Sequence, residues 1–246
     1  MRYVLCVLCL ISGVCRSARG QSPVDATSPL ELVSSDFGLA DGPSWNGWSL
    51  FVPDVRGQVV KRFLPAKKQW QTVMKSEDRI SASFFSHGQL WLSNNSAARI
   101  QTLAGNRLSD GPQKTITIDS ADKPQKRPND LVVDQFGGVY FTLTKQNEVV
   151  YVSPDGQMSV FCSDVVTPNG ITLSPSQQYL YVAAYRPKKI VRIEISQPGV
   201  AGDVNDFASM DDGDARGADE DKCASARRRP RGRRAQRNHD RHVEPD

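Results

Sequence analysis

Asp41, Ser81, Asn129 and Asn169 stand in the same slot of a pattern that the chain writes four times. The segments read Asp41-Gly-Pro-Ser-Trp, Ser81-Ala-Ser-Phe-Phe, Asn129-Asp-Leu-Val-Val and Asn169-Gly-Ile-Thr-Leu. A carboxylate and amide oxygens brought to one point make an oxygen-rich site for a hard cation such as calcium or magnesium. An ion held there polarises a carbonyl and lowers the pKa of bound water. Ser81 lacks the charge of a strong ligand. No rival nucleophile competes: His87 is the only histidine before residue 211, and it sits in a Ser86-His87-Gly88 turn, while Gly-x-Ser-x-Gly is absent. Water is therefore the expected nucleophile.

Those residues meet only if the elements carrying them surround one axis. Each slot is followed by a turn at Asn46-Gly47, His87-Gly88, Gly137-Gly138 or Ser174–Gln177, then by a second apolar strand at 49–52, 89–92, 139–142 or 179–182. Third strands follow at 58–63, 99–103, 148–152 and 189–193, and the first three units add a fourth at 70–74, 115–118 and 158–162. Four short strands repeated every ~40 to 50 residues are the signature of propeller blades. The expected fold is an all-β propeller with about four blades in this chain. A ring of blades places equivalent residues around its axis, which favours a common axial site at the slot. Taken singly, Asp41, Asn129 and Asn169 read as turn residues, since Asp and Asn favour such positions. Arg127 stands between two roles, substrate contact and a surface ion pair. Asp130 is expected to support its neighbours by hydrogen bonds, and Trp45, Trp70 and Trp91 to pack between blades.

Asp41-Gly-Pro-Ser-Trp, Arg127-Pro-Asn-Asp-Leu-Val-Val-Asp and Pro168-Asn-Gly-Ile-Thr-Leu-Ser-Pro resemble the gluconolactonase/regucalcin (senescence marker protein) family. The resemblance runs from Phe37 to Ile195 and implies a propeller of the six-bladed type around one divalent cation. It implies metal-dependent hydrolysis of a sugar lactone or related cyclic ester, a hydrolase acting on carboxylic ester bonds. Calcium is the expected ion, with magnesium, zinc or manganese as substitutes. It further implies that Asn169 is a metal ligand and that Arg127 and Asn129 face the substrate. The family's first ligand is a glutamate, and Asp41 holds that place. Its last ligand, which also transfers the proton, is an aspartate before glycine in blade five; Asp219 is the candidate, followed here by Glu220. The alternatives are a non-catalytic propeller that binds or scaffolds, and an inactive, truncated family member.

The ends of the chain differ from its middle. Met1-Arg2 followed by the apolar run Val4 to Val14 and Ala18-Arg19-Gly20 reads as a secretory signal over 1–20. It predicts a secreted or periplasmic protein with no membrane attachment after cleavage. Cys6, Cys9 and Cys15 would leave with that segment, so Cys162 and Cys223 form no disulfide framework. Residues 21–36 read as a linker and lead-in, and 37–210 as the blades. Residues 211–246 turn acidic, then arginine-rich, with no strand period, and read as a disordered tail from a shifted reading frame. No aromatic residue interleaves those arginines, so nucleic acid is not an expected partner. The net charge of +4 on 246 residues points to no particular partner either. A small-molecule lactone acted on by a monomer is the expectation.

Overall fold

Among the described residues, sixteen strands form four antiparallel sheets, each a four-stranded meander. Blade one holds β1 (Ser44–Trp45), β2 (Leu50–Asp54), β3 (Val59–Leu64) and β4 (Gln69–Lys75). Blade two holds β5 (Ile80–Ser86), β6 (Gln89–Asn94), β7 (Arg99–Ala104) and β8 (Pro112–Thr117). Blade three holds β9 (Leu131–Val133), β10 (Val139–Leu143), β11 (Glu148–Val152) and β12 (Met158–Cys162). Blade four holds β13 (Pro168–Leu173), β14 (Tyr179–Ala184), β15 (Lys189–Gln197) and β16 (Val200–Ser209). This computed structural model describes Pro29, residues 31–105, Leu108, residues 111–119 and residues 125–209. The chain divides into two compact units, Met1–Asp36 and Phe37–Asp246, and every described strand belongs to the second. The expected leader and tail, Asp219 included, lie outside the described residues.

Period-two alternation builds one core per blade interface. Phe51 and Val60 of blade one meet Ile80, Leu90, Leu92 and Leu103 of blade two. Trp91 and Ile100 of blade two meet Leu131, Val133, Phe141 and Val150 of blade three. Val132, Tyr140, Val149 and Tyr151 face the other way and pack on Leu180, Val182, Val191 and Ile193 of blade four. Odd and even positions of β9 to β11 thus serve two different interfaces. This explains why these strands are apolar almost throughout instead of half polar. Burying a side chain such as Phe141 stabilises the fold by about 1.5–3 kcal/mol.

The inner strands β1, β5, β9 and β13 lie side by side in chain order. Each turns into its neighbour at the end away from the slot. His87 and Gly88 both have positive φ, 51° and 72°, which is the two-residue hairpin turn that matches strand twist. His87 is a turn residue that also ties blades: Nε2 donates to the Gln135 carbonyl at 3.1 Å. The Gln135 amide in turn donates to Gln177 Oε1 at 2.9 Å. At the slot end Gly42, with φ of 47°, passes against Ala82 so closely that a Cβ would land on the Ala82 backbone. Its carbonyl accepts both the Ser83 amide (2.8 Å) and the Ser83 hydroxyl (2.9 Å).

Two expectations need correction. Trp91 is buried as expected, but Trp45 is 51% exposed. β1 is only two residues long, and Ser44 takes its inward position, bonded to Ser83 Oγ at 3.0 Å, so alternation turns Trp45 outward. Blade four also has its fourth strand. β16 pairs with β15 through three register shifts, which its Gly202, Asp203, Asn205 and Asp206 masked in the sequence.

Candidate functional site

The slot residues sit where the four inner strands begin. Asp41 precedes β1, exposed; its amide donates to Pro53 O at 3.2 Å, and its Oδ1 accepts the Gly42 amide at 3.0 Å. Ser81, on β5, is buried and spends its hydroxyl on the Asn129 carbonyl at 2.6 Å. Pro128 fixes the approach to β9 and is held by Asn95 Nδ2 on its carbonyl at 2.9 Å. The half-buried Asn129 follows, donating its amide to Thr142 O at 2.9 Å and its side-chain Nδ2 to Thr144 Oγ1 at 3.2 Å. Asn169, half-buried on β13, joins through its carbonyl, which accepts Thr142 Oγ1 at 2.9 Å. Hydrogen bonds therefore run from blade one to two, two to three, and three to four at this end. Arg127 is half-buried just ahead of Pro128.

Asp130 is the residue whose importance the slot pattern understated. Its carboxylate accepts the Leu131 amide at 2.9 Å and is bonded by the Ile171 amide of blade four. Burial pushes its pKa up from 3.8, the Asp41 charge pushes it further, the two amides pull it down, and the net result is about 7. The Asp41 charge of blade one is thus felt at the Asp130 carboxyl of blade three. Beside Asp130 opens a cleft of about 620 Å³, walled by Gly170, Ile171, Tyr181, Ala183 and Phe207. The signal for Asp130 was its position next to Asn129.

Like charges held together with amide groups alongside suit a hard divalent cation, which would relieve their repulsion. Among the described residues no three His, Cys, Asp or Glu side chains gather as a ready metal cluster. The oxygen-bearing side chains at this end of the inner strands are the carboxylates of Asp41 and Asp130 and the amides of Asn129 and Asn169, types that fit calcium or magnesium rather than a softer ion.

Residues 39–224 match the family described as the SMP-30/gluconolactonase/LRE-like region. The chain belongs to this family. Relatives of this SMP-30/gluconolactonase-family protein include a gluconolactonase of Zymomonas mobilis subsp. mobilis. That relative is 26% identical over 198 residues, which are 68% of this chain and 54% of that protein. The chain thus spans about half the length of this curated relative. Among solved structures, a gluconolactonase from Xanthomonas campestris aligns with a TM-score of 0.61 at 20% identity, over 74% of this chain and 66% of that one. A calcium-binding protein, regucalcin, from Agrobacterium tumefaciens aligns with a TM-score of 0.55 at 15% identity, over 70% and 59%. At such identities the two structures establish the propeller fold. The described blades of the SMP-30/gluconolactonase-family chain are four.

Proposed function

We propose that this protein hydrolyses a sugar lactone or related cyclic ester, using one divalent cation held between Asp41 and Asn169. The carrying observation is that Asp41, Asn129 and Asn169 all lie where the inner strands begin, with blade three bonded there to blade four through the Asn169 carbonyl. The Asp130 carboxyl, its pKa raised by burial and by the Asp41 charge, stands next in the chain to Asn129. A bound cation would supply Lewis-acid polarisation of the ester carbonyl and an acidified water. Asp41 contributes charge to it directly, and Asp130 adds a second negative charge within reach. Asn129, with its amide turned toward Thr144, presents Oδ1 to the substrate side, and Arg127 anchors the sugar's hydroxyls or carboxylate. Asp219 is proposed as the further ligand that takes the proton from water, a role resting on the family resemblance. Calcium is the proposed ion, and export through the segment 1–20 is the proposed route.

The test is hydrolysis of glucono-lactone by the full chain. Chelator should abolish turnover, and calcium, magnesium, zinc or manganese should restore it. Asn169→Ala should lower the rate at least ~10-fold while the β signal in circular dichroism persists. A well-folded preparation with no metal-dependent turnover would instead favour a propeller that binds without catalysis.

A further inference from the structure

The even-numbered side chains of β10 point at blade four, and the hydroxyls among them reach across to its backbone. Tyr140 Oη accepts the Gly199 amide at 3.0 Å. Thr142 Oγ1 donates to the Asn169 carbonyl at 2.9 Å, and Thr144 Oγ1, just past the strand, donates to the Pro168 carbonyl at 2.7 Å. The two threonines also hold their own blade. Thr142 Oγ1 accepts the Asp130 amide at 3.1 Å, and Thr144 Oγ1 accepts Asn129 Nδ2 at 3.2 Å. A hydroxyl has a single proton, and a carbonyl can only accept, so both directions are forced. Thr144 has given its proton to Pro168 and must receive from Asn129. That fixes the Asn129 amide with its nitrogen toward Thr144 and its Oδ1 away from it.

We propose that Thr142 and Thr144 are positioning residues for the axial site, each clamping one residue of the Asn129-Asp130 pair in blade three to the slot strand of blade four. Thr142 ties Asp130 to Asn169, and Thr144 ties Asn129 to Pro168, so donors from two blades are set by two hydroxyls. Valine would fill the same volume on a strand, so what threonine adds is direction. Thr142 is fully buried, and without its hydroxyl the Asp130 amide and the Asn169 carbonyl each lose this partner. The inference rests on the cation site proposed above.

The experiment compares calcium affinity by calorimetry for the full chain and for Thr142→Val, Thr144→Val, Thr142→Ser, Thr144→Ser and Gln177→Ala. Each valine variant should bind calcium roughly 10- to 100-fold more weakly, the cost usual for outer-shell partners, and each serine variant should recover it. Gln177→Ala removes a hydrogen bond between the same two blades at the opposite end. It should lower the melting temperature and leave calcium affinity at the parent value. Valine variants that bind calcium like the parent, or a Gln177→Ala that loses as much as they do, would overturn the proposal. Thr144 is only half-buried, so Thr144→Val carries the test if Thr142→Val does not fold. If the parent takes up no calcium, the cation site fails, and the positioning claim is decided by NMR. The Asn129 side-chain amide and Asn169 backbone signals should then move in the valine variants and not in Gln177→Ala. Signals that stay in place would refute it.

Discussion

Replacing Asp130 by asparagine should stabilise this protein in metal-free buffer, by an amount that grows as pH rises from about 4 and is greatest above neutral pH. The folded state holds the Asp130 proton with a pKa of about 7, against an ordinary value of 3.8. At about 1.4 kcal/mol per pKa unit, keeping that carboxyl ionised in the fold costs up to roughly 4 kcal/mol. Solvent screening at this half-buried position brings the expectation to roughly 2–3 kcal/mol. The sign follows from proton binding. Because the folded chain binds the proton more tightly, this penalty is absent below about pH 4, grows as pH rises toward about 7, and is constant above that. The side-chain amide of the Asp130→Asn variant would keep an oxygen for the Leu131 and Ile171 amides and offer an N–H to Asp41. Urea denaturation of parent and variant in chelator, at pH 5 and pH 8, measures the gap at each pH. The variant should lead by roughly 2–3 kcal/mol at pH 8, or roughly 4–12 °C in Tm, and by less at pH 5. Added calcium should stabilise the parent more than the variant, which keeps Asp41 and Asn169 but lacks the second negative charge, by mass action on the folded state. A gap that is the same at both pH values, or a variant less stable at pH 8, would refute the electrostatic account of this end of the blades.

Asp54 should behave in the opposite sense. Burial raises its pKa, but amides of Gly38, Leu39 and Gly57, with Lys61, outweigh that and hold it below the usual range. Its stabilisation is present above about pH 4 and is lost as pH falls through the lowered folded value, so Asp54→Ala should cost roughly 2–4 kcal/mol in urea melts at pH 7 and less at pH 3. Gly42→Ala should lower stability by more than ~2 kcal/mol, because its Cβ would strike Ala82 backbone and its φ is positive; a variant melting with the parent contradicts the close approach. Phe141→Ala, at a fully buried position between blades two and three, should cost about 3–5 kcal/mol in the same assay.

Much of the architecture was legible because blade strands carry a strong local signal. Second strands expected at 89–92 and 139–142 stand at Gln89–Asn94 and Val139–Leu143, bounded by glycine turns that dictate positive φ. Where side chains are solvated the signal fades: β16 is mostly exposed and rich in Asp, Asn and Gly, so only its pairing with β15 reveals it. Trp45 misled because a two-residue strand has no period to read, and its inward position went to a serine bonded across the interface. The slot itself was visible as repeated polar residues before apolar strands. Asp130 was legible only as a support for its neighbours, and Thr142 and Thr144 not at all, because their roles depend on which carboxylate, carbonyl or amide another blade brings near. Parity along β10 does put Tyr140 and Thr142 on one face, with Thr144 just past its end, but only the three-dimensional register shows that blade four lies there.

The central claim is that Asp41 and Asn169 share one divalent cation. Anomalous diffraction from crystals of the full chain grown in calcium tests it most directly. One peak should lie about 2.3–2.6 Å from a carboxylate oxygen of Asp41 and from Oδ1 of Asn169, the distances calcium takes from oxygen ligands. Ordered Asp41 and Asn169 side chains with no peak between them, or a single calcium bound elsewhere on the blades, would contradict it.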